Sequence, residues 1–151
     1  MSPLNLGILK LSASPATAAP RGARWVKTTS APPPAGTYSQ GVAAGGFVFL
    51  AGQTPRTPEG RRLTAAPFAD QVRQTFDNLA AVAAAAGASL ADAIKVTIYL
   101  RDPHRAAEFD AIYQTYLSDP LGEKVPARTL VQSDLPHGDI EADAVLWITR
   151  T

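Results

Sequence analysis

Phe68, Val72, Phe76, Leu79 and Val82 recur at spacings of four, four, three and three, which makes one face of that segment apolar over about four turns. Such a stripe is an amphipathic helix, and a helix with one apolar face is stable only against something that covers it. Pro67 stands at its first turn and Gly87 beyond its last apolar residue, the residue types expected at a start and a stop. From Ala80 to Ala86 the side chains are mostly small, so that end can lie close to a sheet or another subunit.

The cover is legible further along. Ile94, Val96, Ile98 and Leu100 alternate with Lys95, Thr97, Tyr99 and Arg101, the period of a strand with one apolar face. Asp102 is a ready N-cap with Pro103 behind it, and Ala106, Phe109, Tyr113, Tyr116 and Leu117 form a second helical stripe ending before Pro120. Two more strands are predicted at Arg128 to Gln132 and Ile140 to Ile148, separated by a turn over Asp134 to Gly138. In the last strand Ile140, Ala142, Ala144, Leu146 and Ile148 share one face, leaving Glu141, Asp143, Val145 and Trp147 on the other. Before the first helix, Pro32-Pro33-Pro34 and Gly36 mark a stiff entry. Phe47 to Ala51 then reads as a strand opened by a Gly45-Gly46 turn, and Thr54 to Arg62 as an exposed loop.

The expected order is β-β-α-β-α-β-β: an α+β domain whose one sheet carries both helices on a single face. Its other face, bearing Thr97, Tyr99, Thr129, Val131 and Trp147, is too apolar for water and points to self-association.

A chain of 151 residues with 46% hydrophobic residues supports one such domain. The 14 Lys and Arg against 13 Asp and Glu offer no basic face for nucleic acid. With no cysteine there is no disulfide, thiolate nucleophile or Cys-ligated zinc. His104 and His137 match no metal-ligand spacing, so no metal is expected. Neither histidine sits by a serine elbow, and both read as solvated side chains, one on a surface helix and one in a turn. No apolar run reaches the roughly 20 residues of a membrane span, so a soluble, cytoplasmic protein is expected. No Asp or Glu precedes Glu59. The Ser-, Ala- and Pro-rich residues 1–24 read as a disordered extension before a domain over 25–151, with an organelle transit peptide as the lesser alternative.

Chemistry points to Arg128, which follows Pro126-Ala127 into a strand, and to Glu141 thirteen positions later on another strand. A guanidinium fork suits a carboxylate, and a nearby carboxylate can position or deprotonate a water. On these residues alone an ordinary cross-strand Arg128–Glu141 ion pair is the simpler account.

Gly36-Thr37-Tyr38-Ser39-Gln40-Gly41, Leu50-Ala51-Gly52-Gln53-Thr54-Pro55, Gln74-Thr75-Phe76-Asp77-Asn78-Leu79, Lys95-Val96-Thr97-Ile98-Tyr99-Leu100, Val125-Pro126-Ala127-Arg128-Thr129 and Ile140-Glu141-Ala142-Asp143-Ala144 follow one another in this chain. In that order they resemble the Rid (YjgF-like) family of enamine and imine deaminases, over roughly residues 25 to 150. The resemblance implies a chorismate-mutase-like α+β fold with a mixed sheet, a homotrimer with pockets between subunits, and no cofactor. It implies that Arg128 clamps a substrate carboxylate and that Glu141 orients a water attacking the C=N carbon. Backbone carbonyls at Gly52 and Leu130 would assist while the Tyr38 ring closes the pocket. The implied reaction is hydrolysis of enamines or imines such as 2-aminoacrylate to ammonia and a 2-oxo acid. A noncatalytic metabolite-binding or chaperone-like role is the alternative. Ribonuclease activity, another property of some relatives, is opposed by the near-neutral charge.

Three positions depart from the deaminase pattern: Ala51 stands where a serine is usual, Leu130 where a cysteine is, and Asp110 where an asparagine is. An added carboxylate beside an anion site would oppose acidic substrates unless it faced solvent.

Overall fold

The computed structural model describes residues 19–117 and 122–148. The extension expected over 1–24 lies outside the described residues up to position 18, as does Pro120. Along the chain run β1 (Arg24–Val26), β2 (Gly41–Ala44), β3 (Phe47–Gln53), α1 (Phe68–Ala85), β4 (Ala93–Leu100), α2 (Ala106–Leu117), β5 (Ala127–Gln132) and β6 (Ile140–Trp147). The strands form one six-stranded sheet in the order β1-β2-β3-β6-β4-β5. It is antiparallel except for the parallel pair β4–β5, so the sheet is mixed. The expected architecture is present with one strand more than the periodicity predicts. At β1 the three residues Arg24-Trp25-Val26 are too few to display a period, and pairing with β2 makes them a strand.

Both helices cover the same face. Phe68, Val72, Phe76, Leu79 and Val82 of α1 are all buried, against Val48 and Leu50 of β3, Val96, Ile98 and Leu100 of β4, and Ile140, Ala142, Ala144 and Leu146 of β6. Gly87, at φ +81°, ends α1: its N–H donates to the Ala84 carbonyl and that of Ala88 to Ala83, the paired bonds of a Schellman stop. In α2 the Asp102 side chain caps a 3₁₀ turn over Pro103–Arg105 that leads into the helix, and Phe109 and Tyr113 pack on Phe76. The Gly45-Gly46 turn has positive φ at both residues, the form that matches strand twist in a two-residue hairpin.

Ile94 departs from the expected alternation: it is exposed, because the β4–β6 register shifts between Ala93 and Lys95 and puts the apolar face in phase only from Val96 onward. The other face of the sheet carries no helix. Trp25, Phe49, Val131 and Trp147 lie on it, each well exposed in the single chain.

Candidate functional site

Three buried amide side chains shape one cleft at the end of β3 and β6. Gln40 receives the Thr28 N–H and donates to the Thr28 and Pro32 carbonyls, which fixes the proline-rich entry. Asn78, on α1, donates to the carbonyls of Thr54 and Arg56 and so pins the β3–α1 loop. Gln71 exchanges bonds with Asp139, donating to its carboxylate and accepting its N–H, which holds the turn before β6. A buried amide is stable where its donors and acceptors are used, so each of these residues converts a surface loop into a fixed wall. The loop expected to be exposed over Thr54 to Arg62 is thereby a partly buried cleft wall, with Arg56 and Arg62 directly opposed in an antiparallel bridge.

The cleft has a volume of about 380 Å³ and brings together Tyr38, Gly52 and Glu141, with Arg56, Arg62 and His137 along its rim. Glu141 sits on the helix-free face of β6, opposite Tyr99. A Cβ on Gly52 would fall onto Glu141 Oε1, so the glycine's missing side chain is the space that the carboxylate occupies. The β3–β6 register shifts between Leu50 and Gln53, the irregularity that turns this stretch out of the ladder. Among the described residues none donates a hydrogen bond to Glu141, and burial, then the neighbouring Asp143, pushes its carboxyl above the usual glutamate range. Asp143 is also raised by burial, against the pull of the Thr97 hydroxyl and of Lys95. Tyr38 stands at the mouth, half exposed, its hydroxyl accepting the Ala35 N–H at 3.0 Å.

Arg128 and Leu130 are elsewhere. Arg128 pairs with Val96 in register, hence on the helix face, and its guanidinium lies over the rings of Tyr113 at 4.7 Å and Phe109 at 5.6 Å. Its Nη1 donates to Asp110 Oδ1 at 2.6 Å, a charge-assisted bond. The simple cross-strand pair of Arg128 with Glu141 does not form. β4 lies between their strands, their side chains leave opposite faces of the sheet, and the arginine's partner is Asp110. A second cleft lies there, lined by Asp110, Tyr113, Val125, Pro126 and Arg128, and the buried Tyr113 hydroxyl has no hydrogen-bond partner among the described residues. Leu130 is half-buried against the core.

Among the described residues β5 is an edge strand, paired with β4 alone. The Ser133 N–H donates to the Leu100 carbonyl, and because alternate residues of a strand address opposite sides, the backbone groups of Arg128, Leu130 and Gln132 point away from β4. Sequence reasoning did not place Arg56, Arg62 or Tyr113 at a site, and it read His137 only as a solvated turn residue. His137 lines the Glu141 cleft, whereas His104 pairs with Asp102 on the surface. No periodicity or spacing marks a loop residue that reaches a site by its fold.

The sheet, the two helices on one face and this pair of clefts define a single-domain α+β protein of the YjgF type. Residues 28–146 match the family described as Endoribonuclease L-PSP, and the chain belongs to that family, also called YjgF/Rid. It is 42% identical over 122 residues to a RutC family protein of Pyrococcus horikoshii, covering 80% of this chain and 94% of the relative. It is 31% identical over 127 residues to a 2-iminobutanoate/2-iminopropanoate deaminase of Dermatophagoides farinae, covering 83% and 96%. The crystal structure of E. coli TdcF with bound serine superposes with a TM-score of 0.75 at 32% identity, over 83% of this chain and 99% of that one. No described helix is long and apolar enough to cross a membrane.

Proposed function

We propose that the protein is a hydrolytic deaminase of enamine and imine intermediates, 2-aminoacrylate among them, that releases ammonia and a 2-oxo acid in the cytoplasm without a cofactor. The observation that carries this reading is the Glu141 carboxylate, set into the space left by Gly52 and given no hydrogen-bond donor among the described residues. A half-buried carboxylate with unused lone pairs is suited to hold a water and take its proton. Family membership and the similarity to a 2-iminobutanoate/2-iminopropanoate deaminase of Dermatophagoides farinae support this reaction class.

In this reading Arg128 anchors the substrate carboxylate and Glu141 orients the water that attacks the C=N carbon. The Leu130 and Gly52 carbonyls face the nitrogen or the water, and Tyr38 closes the mouth. One chain cannot bring Arg128 to its own Glu141, because the sheet stands between them. The proposed site is therefore shared: the free β5 edge of one subunit meets the Glu141 cleft of the next in a homotrimer. Imines hydrolyse unaided in water, so the gain comes from fixing the carboxylate and the water in one geometry and from stabilising charge as it develops.

A serine/threonine dehydratase generating 2-aminoacrylate and its homologues in situ tests this, with 2-oxo acid release followed in the presence and absence of the protein. Acceleration is expected. Arg128→Lys should behave much more like Arg128→Ala than like the wild type, raising the Michaelis constant roughly 10²-fold, because lysine keeps the charge but loses the fork, whose bonds are each worth about 1.5–3 kcal/mol. Wild-type affinity in a folded Arg128→Lys variant would refute the clamp. The Asp110 contact supports a second reading, a metabolite holder without turnover, in which Arg128 is kept partly neutralised. Saturable binding with no rate enhancement would favour it. The near balance of charge speaks for a small-molecule site rather than an RNA surface.

A further inference from the structure

We propose that Arg56 and Arg62 form a second anion site in the outer part of the Glu141 cleft, so that the preferred substrate is a dicarboxylate whose distal acid lies away from the reacting carbon. This rests on the deaminase reading and narrows it to one substrate class.

The two residues face each other in an isolated antiparallel bridge across the β3–α1 loop. Residues directly opposed in such a pair project to the same side with their Cβ atoms about 5 Å apart, and like charges there are destabilising. Both line the cleft. Arg56 is held in place: Nε donates to the Gly60 carbonyl at 3.2 Å and Nη1 to the Pro33 carbonyl at 3.1 Å, and a side chain on Gly60 would crowd its Nη2. Those carbonyls orient the guanidinium but carry no net charge to offset it. Arg62 is exposed, and its guanidinium makes no hydrogen bond or ion pair with a described residue.

The nearby acids are occupied or out of reach. Glu59, in the same loop, is held by its own backbone and the Thr57 hydroxyl and feels Arg61. No ion pair joins Glu141 to either arginine among the described residues, and a guanidinium in contact would lower the Glu141 carboxyl, which is instead raised by burial and by Asp143. The cleft is thus divided, with an acid at its floor beside Gly52 and two cations at its outer wall.

An anionic group seated between the arginines removes their mutual repulsion. With two of the Arg56 donors already engaged, the free fork belongs to Arg62 and suits a planar carboxylate. A substrate with one acid for Arg128 of the partner subunit and a second for Arg62 would be held at both ends, with its C=N carbon between them and near Glu141.

The test is titration calorimetry of the full-length chain with 2-oxoglutarate and with 2-oxopentanoate, which has the same five-carbon chain but lacks the distal acid. Wild type should bind 2-oxoglutarate about tenfold more tightly at low salt, the worth of roughly one charge-assisted contact at a half-exposed site. In Arg62→Ala and Arg62→Gln the preference should fall toward parity, with circular dichroism checking the fold. Equal affinities in wild type, binding of neither acid, or a preference retained by both Arg62 variants would overturn the proposal. A parallel assay supplies 2-iminoglutarate and 2-iminopentanoate from an amino-acid oxidase. Absence of turnover with the binding preference intact would sink the deaminase reading and leave the anion site standing; turnover of both without preference would do the reverse.

Discussion

At the scale of single residues, Glu141 and Asp110 make opposite predictions. Glu141 is pushed above the ordinary glutamate range by burial and by Asp143. The folded chain therefore keeps that proton to higher pH than the unfolded chain, and stability contributed by the protonated form is lost as pH rises through the raised value. Glu141→Gln removes that loss. It should raise the melting temperature relative to wild type at neutral pH, the advantage vanishing below the ordinary glutamate range. The same substitution should lower turnover by about 10²–10⁴-fold, the span of a general-base contribution. Wild-type activity should also fall on acidification at a higher pH than an unperturbed glutamate would give. A variant that keeps its turnover would assign Glu141 to structure. Asp110 spends one charge-assisted bond on Arg128 that a bound carboxylate must share or displace. Asp110→Asn should tighten binding of a 2-oxo acid by about tenfold, somewhat below the ~1.5–3 kcal/mol worth of such a bond because the pair is partly exposed. Weaker binding in calorimetry would show that Asp110 orients the arginine for its ligand instead of competing with it.

At the scale of elements, the cleft depends on groups that hold loops to α1. Asn78→Ala would strip the Thr54 and Arg56 carbonyls of their donor and leave the β3–α1 loop untied. A loss of about 1–3 kcal/mol in urea unfolding is expected, together with weakened ligand binding, because the lost bonds are partly buried. Gly52→Ala tests the end of β3. The added methyl falls where the Glu141 carboxylate lies, so the carboxylate must move. Turnover should drop toward that of Glu141→Gln while the fold survives, and an unperturbed catalytic constant would show that the carboxylate is not needed at that spot. Most of the elements are legible from periodicity, since α1, β4, α2 and β6 each bury one face in a regular sequence pattern. β1 and the outward turn of Ile94 are not, because a three-residue strand and a register shift depend on the partner strand.

At the scale of the whole molecule, the helix-free face is where the proposed homotrimer would assemble. Phe49, 49% exposed, and Trp147, 44% exposed, stand on it with Trp25 and Val131. Exposed side chains of that size on one sheet face suit the proposed subunit contact. Native mass spectrometry at micromolar protein should give a trimer, and Phe49→Asp should give monomers with unchanged helix content. A monomeric wild type would remove the shared site. Because Arg128 and Glu141 leave opposite sides of the sheet, the monomeric variant should also lose turnover although both residues are intact.

The sequence by itself determined the class of fold, the apolar face of each main element, and Arg128 and Glu141 as the residues to examine, because local periods and residue chemistry are properties of short segments. It could not determine their relation. A spacing of thirteen residues suggests an ion pair, but strand order decides it: β4 inserts between β5 and β6, and the arginine turns to Asp110 on α2. Only the tertiary structure set Glu141 into the place of Gly52's absent side chain and brought Arg56, Arg62 and His137 to the same cleft. Those contacts join segments far apart in the chain, and no local pattern records where a loop will be tied.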